Sequence, residues 1–186
     1  IWGHLKKNKV QREKKRISGV RAKSISAIEK HGIEPFKTHR LEHMHTILST
    51  GSPLTHGSFQ YIYRCFNPSI QLSSISGGTD ILSAFVAGNP CLPVYAGEIQ
   101  CNTFGMDLQI WSDSGESLRK IKGELVCVNS FPSAPIYFWN DPGDKKYKKA
   151  YFEKFTDVWC QGDYGEITSN GGIVIYGRSD AVLNPG

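Results

Sequence analysis

The sequence predicts an α/β fold: a parallel βαβ sheet unit followed by an antiparallel β-barrel-like subdomain. Three observations point there. Strand, turn, helix and strand follow one another between His45 and Ile75, an order that requires parallel strands. After about residue 90 apolar and polar residues alternate and glycine turns recur, the pattern of antiparallel strands. The loops after the two strands of the βαβ unit place glycines beside hydroxyls, and in the second loop a carboxylate, where open α/β sheets bind ligands.

Ala22, Ile25 and Ile28 lie at helical spacing and predict a short helix that Gly32 stops. Residues 45–49 are a short apolar strand, and residues 50–54 a turn. Phe59, Ile62, Tyr63 and Phe66 fall at i, i+3, i+4 and i+7, one face of a helix that ends near Asn67-Pro68. Residues 70–75 form the returning strand, which closes the βαβ unit. Further on, Leu108 and Ile110 alternate with polar neighbours, Gly115 turns the chain, and residues 123–128 are a strand. Residues 145–155 are basic and aromatic and predict a helix; residues 158–160, 164–168 and 172–176 are short strands with glycine turns between them. The resulting division is a basic segment over 1–18, a parallel α/β part over 19–90, a β-rich subdomain over 91–177, and a terminal segment over 178–186.

Charge and composition exclude several classes. The net charge is +5, but residues 1–30 hold ten Lys or Arg against two Glu, and the rest holds twelve against fifteen acids. The basic run at residues 6–16 has no interleaved aromatics and no nucleic-acid module, so it is read as solvated chain and no nucleic-acid partner is expected. No apolar stretch is long enough to span a bilayer and no signal-peptide pattern is present, so no membrane association is expected. The five cysteines are irregularly spaced with no C-x-x-C pair, which favours reduced thiols and a cytosolic location. His39, His43 and His45 lie close together, but no carboxylate or cysteine completes a ligand set. The chain does not open with Met and stops soon after a strand, so it is expected to be part of a larger protein.

The candidate chemistry sits in the turns. Gly177-Arg178-Ser179-Asp180 follows the last apolar strand, and Gln161-Gly162-Asp163-Tyr164 precedes it. A carboxylate accepts hydrogen bonds from the vicinal hydroxyls of a ribose, and a guanidinium donates in a planar fork, so the two are expected to grip one sugar. In Ser74-Ile75-Ser76-Gly77-Gly78-Thr79-Asp80 the paired glycines let backbone amides approach an anionic ligand, while Thr79 and Asp80 supply a hydroxyl for a phosphate and a carboxylate for Mg²⁺. Each motif alone, Gly51-Ser52-Pro53 included, is also an ordinary turn; their combination on successive strand ends points to a nucleotide site.

The order Gly51-Ser52-Pro53, Gly77-Gly78-Thr79-Asp80, Gly123-Glu124-Leu125, Gly162-Asp163, Gly177-Arg178-Ser179-Asp180 resembles the adenylate-forming superfamily of acyl-CoA synthetases. The wording is closest to its acetoacetate–CoA ligase branch, in His45-Thr46-Ile47-Leu48-Ser49-Thr50-Gly51-Ser52-Pro53-Leu54, Phe138-Trp139-Asn140-Asp141, Lys149-Ala150-Tyr151-Phe152 and Leu183-Asn184-Pro185 among other stretches. The resemblance runs from about residue 19 to the end and implies a fragment of the large N-terminal domain of such an enzyme. It implies activation of acetoacetate by ATP and Mg²⁺ to an acyl-adenylate, then thioester formation with CoA, in ketone-body use and lipid synthesis. By resemblance, Gly51, Ser52 and Pro53 lie along the adenine, Thr79 contacts the α-phosphate, Asp80 holds Mg²⁺, and Thr79 and Asp80 are the catalytic pair. Asp163 and Arg178 take the ribose, Asp180 is the hinge of a mobile C-terminal domain, and Gly77 and Gly78 border the acyl pocket.

The chain departs from the family pattern in places. The family's Gly/Ser/Thr-rich phosphate loop with its lysine is expected upstream of these residues, and its C-terminal domain with the adenylation lysine downstream. The basic run at 6–16 stands near where the family has an apolar helix and a buried strand, and a strand buried on both faces cannot be written in Lys and Arg. Asp80 stands where Glu is usual, and Ser76 or Gly77 where many relatives carry an aromatic. The chain alone is therefore expected to be inactive and the full-length enzyme active; the alternative is a truncated remnant that binds nucleotide without chemistry.

Overall fold

The computed structural model describes residues 16–180. A parallel sheet is built from β1 (Arg16–Arg21), β2 (Met44–Thr50) and β3 (Gln71–Ser74), side by side in that order. Helix α1 (Ala22–Lys30) and the short α2 (Pro35–Thr38) connect β1 to β2, and α3 (His56–Cys65) connects β2 to β3. The predicted βαβ unit is thus preceded by a second one. Thr55 begins α3: its Oγ1 accepts from the Ser58 amide at 3.2 Å, which satisfies a free helix N–H. Phe59 and Ile62 on its inner face bury completely against Ile25, Ile47 and Leu72, and Ser58 Oγ donates to Glu29 Oε2 at 3.0 Å to tie α3 to α1.

Strand β1 was not expected. It starts at Arg16, so the predicted boundary between residues 18 and 19 falls inside it. Among the described residues β1 pairs on one side only, with β2, and most of its side chains are exposed. A strand paired on one side tolerates arginine where a doubly buried one does not. Residues 1–15, which hold nearly all of the basic run, lie outside the described residues.

The antiparallel part contains two sheets. One joins β4 (Ser76–Gly78), β5 (Ser83–Ala87) and β6 (Cys101–Asn102). The other contains β7 (Leu108–Trp111), β8 (Ser117–Leu118), β9 (Gly123–Cys127), β10 (Trp159–Ile167) and β11 (Ile173–Arg178), in the spatial order β11-β10-β9-β7-β8. A bridge between Ile99 and Ile173 links them, and Ile81, Phe85, Ile110, Leu125 and Trp159 share one core. Because Ile81, Phe85 and Val86 belong to that core, the antiparallel part begins at β4, not at residue 91 as the sequence suggested. The paired glycines concealed β4, since Gly-Gly reads as a turn when it is not known to pair.

The segments expected as separate strands at 158–160 and 164–168 are one strand, β10, and the Gly162-Asp163 turn is an irregularity inside it. Helix α4 (Lys145–Phe152) packs on β10, with the Tyr151 ring stacked on Trp159 at 3.7 Å between centroids. The connection from β5 to β6 is held by one buried side chain. Gln100 Nε2 donates to the carbonyls of Asn89 (2.9 Å), Leu92 (2.7 Å) and Pro93 (3.1 Å), and its Oε1 accepts from Gln71 Nε2 at 2.8 Å. Replacing Gln100 with Ala strands these groups, and a loss of roughly 1–3 kcal/mol is expected in urea unfolding. Among the described residues no helix is long and apolar enough to cross a membrane.

Candidate functional site

A cleft of about 910 Å³ opens where the end of β2, the β4–β5 hairpin and the end of β11 converge. Gly51, Ser52, Pro53, Gly77, Gly78, Thr79, Asp163 and Arg178 all line it. Asp80 and Asp180 do not.

Each wall follows from local sequence. Gly51 follows β2 at φ +87°, a conformation that favours glycine, and it turns the chain across the cleft floor. Gly77 in β4 lies so close to β5 that a Cβ would stand 2.3 Å from Ser83 O and 2.6 Å from Ala84 Cα. A Cβ on Gly78 would strike Asp80 Oδ1 and approach Gln161 Nε2 at 3.0 Å. The expected anion-cradling loop is therefore a tight hairpin, with Thr79 at its turn.

Asp163 and Arg178 are direct partners across the antiparallel β10–β11 pair. Gly162, at φ +76°, bulges β10 next to Asp163 and disrupts its pairing with β9. Bulges of this kind re-aim side chains. Arg178 Nη1 donates to Asp163 Oδ1 at 3.5 Å and to Gln161 O at 2.8 Å. Burial pushes the Asp163 carboxyl above its ordinary pKa, and the attraction of Arg178 offsets this only in part. Asp163 is 8% exposed, with a cationic neighbour and an open cleft before it.

Asp80 is exposed at the hairpin turn, and its Oδ2 accepts from Tyr151 Oη at 2.7 Å. Burial, and then this hydrogen bond, raise the Tyr151 phenol well above its ordinary value, so Tyr151 stays protonated and donates. Among the described residues no three His, Cys, Asp or Glu side chains gather into a metal cage.

Three contributing residues stood in the quoted motifs without a role of their own: Tyr151, Gln161 and Glu124. Tyr151 lay in the basic, aromatic stretch without an assigned role. Gln161 is buried, accepts from Trp159 Nε1 at 2.8 Å, and offers its carbonyl to Arg178. Glu124 is 3% exposed in β9, all of whose residues are buried. Its carboxylate accepts from Lys154 Nζ at 3.0 Å and from Ser179 Oγ at 2.7 Å, pinning the residue after Arg178. A lone charge in an otherwise apolar strand was the available signal for Glu124.

No family model matches the chain. It is 52% identical over 170 residues to the acetoacetyl-coenzyme A synthetase of Rhizobium meliloti, with 91% of this chain and 26% of that protein covered. It is 49% identical over 170 residues to the acetoacetyl-CoA synthetase of Mus musculus, with 91% and 25% covered. Among solved structures it superposes on an acetoacetyl-CoA synthetase from Streptomyces lividans with TM-score 0.81 and 40% identity, over 90% of this chain and 26% of that one. It shares its fold with an anthranilate CoA ligase solved with anthranoyl-AMP, at TM-score 0.72 and 17% identity, over 88% of this chain and 30% of that one. The chain spans about a quarter of the length of the curated relatives it matches.

Proposed function

We propose, on the premise that this chain is homologous to a quarter-length segment of acetoacetyl-CoA synthetases, that it forms the nucleotide- and acyl-holding wall of an acetoacetate–CoA ligase. In this reaction the carboxylate of acetoacetate attacks the α-phosphorus of ATP and pyrophosphate leaves. The CoA thiol then takes the acyl group and AMP leaves. The substrate supplies its own nucleophile, so the protein contributes position and charge rather than an attacking side chain. The observation that carries the proposal is that Asp163 and Arg178 face the same cleft as Thr79.

Asp163, ionised beside Arg178, accepts hydrogen bonds from the ribose hydroxyls. Gly51, Ser52 and Pro53 lie along the adenine, and Gly77 and Gly78 border the acyl group. Thr79 donates its hydroxyl to the α-phosphate as negative charge builds there. Tyr151 orients Asp80, the carboxylate that would hold Mg²⁺. Mg²⁺ is commonly bound by one or two carboxylates together with substrate phosphates, and Asp80, next in sequence to the cleft-lining Thr79, supplies one. When bound, Mg²⁺ neutralises charge on the phosphates. Asp180 lies at the hinge to a further domain. All five cysteines are unpaired, which favours the cytosol.

The full-length polypeptide carrying this segment is expected to release pyrophosphate from ATP in the presence of Mg²⁺ and CoA when acetoacetate is supplied. Release that is equal with acetate or longer acids, or absent with acetoacetate, would reject the assignment.

A further inference from the structure

Arg178 faces two ways. Its Nη1 lies beside Gln161 O and Asp163 at the cleft. Its other edge forms a two-point pair with Asp180, Nε to Oδ1 at 2.8 Å and Nη2 to Oδ2 at 2.5 Å. Asp180 sits outside the cleft, on a separate pocket of about 250 Å³ that it shares with Glu124, Lys154 and Ser179. Between the two aspartates the chain is anchored: Ser179 N donates to Gly162 O at 2.8 Å, and Ser179 Oγ to Glu124. A carboxylate and a phosphate present the same pair of oxygens to a guanidinium. The edge of Arg178 able to grip an oxyanion at two points is therefore already held by a carboxylate of its own chain.

We propose that Asp180 is an internal competitor for the Arg178 fork, displaced when a nucleotide engages Arg178. This rests on the nucleotide assignment made above. The pair is built to yield: the Arg178 side chain is 47% exposed and that of Asp180 59%. Ion pairs so open to water weigh little in equilibrium, so a bound ligand can replace one. Ser179 stays fastened to Glu124, so the exchange frees the Asp180 side chain and leaves β11 in place.

The test is AMP titration by calorimetry on the protein and on Asp180→Asn, with Asp163→Ala and Asp113→Asn as controls. Asp180→Asn is expected to bind AMP about three- to fivefold more tightly, the weight of an exposed ion pair. Asp113, an exposed acid paired with Lys154, reports the general effect of removing one negative charge. Unchanged or weaker binding in Asp180→Asn, or an equal gain in Asp113→Asn, would overturn the competition. If wild type binds AMP and Asp163→Ala does not, the nucleotide assignment stands whatever Asp180 does. If neither wild type nor Asp180→Asn binds AMP, that assignment fails, and a second measurement decides on the latch. Trypsin must take the Arg178 side chain to cut after it, so cleavage there, read by mass spectrometry, is expected to be faster in Asp180→Asn. Equal cleavage at equal thermal stability would show that no latch exists.

Discussion

Asp163→Asn is expected to weaken nucleotide binding by roughly 10- to 100-fold, the worth of hydrogen bonds to a charged acceptor, while raising the melting temperature at neutral pH. The two effects have one cause. Burial raises the carboxyl's folded pKa above its unfolded value, because withdrawing the charge from water outweighs the attraction of Arg178. A group shifted in that direction contributes stability that is fully present below its unfolded pKa and lost as pH rises through its folded pKa. At neutral pH the ionised side chain therefore costs stability, and the neutral amide removes that cost. The stability gap between variant and wild type is expected to narrow as pH falls into the carboxylate range. Thermal melts across pH, together with AMP titration, check both halves. A variant that is less stable at neutral pH, or that keeps wild-type affinity, would mean that Asp163 is a structural ion-pair partner only.

Gly77→Ala is the second large effect. The added methyl would lie 2.3 Å from one backbone atom of β5 and 2.6 Å from another. Backbone cannot rotate away as a side chain would, so the β4–β5 hairpin must open. A cost of about 3 kcal/mol is expected, the upper range for overpacking. The hairpin forms a wall of the cleft, so AMP binding is expected to be lost as well. Gly19→Ala in β1 is the matched control. Nothing lies within 4 Å of its would-be Cβ, and a change within about 1 kcal/mol is expected there. Equal midpoints for the two variants in urea unfolding would refute the close approach of β4 and β5.

How legible the site was depended on the range of the interaction. The β2–α3–β3 unit could be read because its signals are local: Phe59, Ile62 and Phe66 repeat at the helical period, and Thr55 caps the helix they form. The site residues could be read as types, since glycines, a hydroxyl and acids after strands have a limited set of uses. Strand β1 was missed because its arginines disguise a strand that, among the described residues, pairs on one side, and β4 because glycine carries no pattern at all. The position of the parallel-to-antiparallel change was missed for a related reason. Ile81 and Phe85 look the same in sequence whichever core they enter.

Linear order alone establishes the chemical inventory here: which side chains can hold a sugar, a phosphate or a cation, and in which order they arrive. It does not establish their partners. Asp163 faces Arg178 because β10 and β11 pair in the register that sets them opposite, and Tyr151 reaches Asp80 across 71 positions of chain because α4 stacks on Trp159. Glu124 meets Ser179 across 55 positions. Periodicity and turn chemistry are properties of neighbours a few residues apart, whereas these contacts depend on which apolar faces pack together, and that is settled only when the whole chain has collapsed.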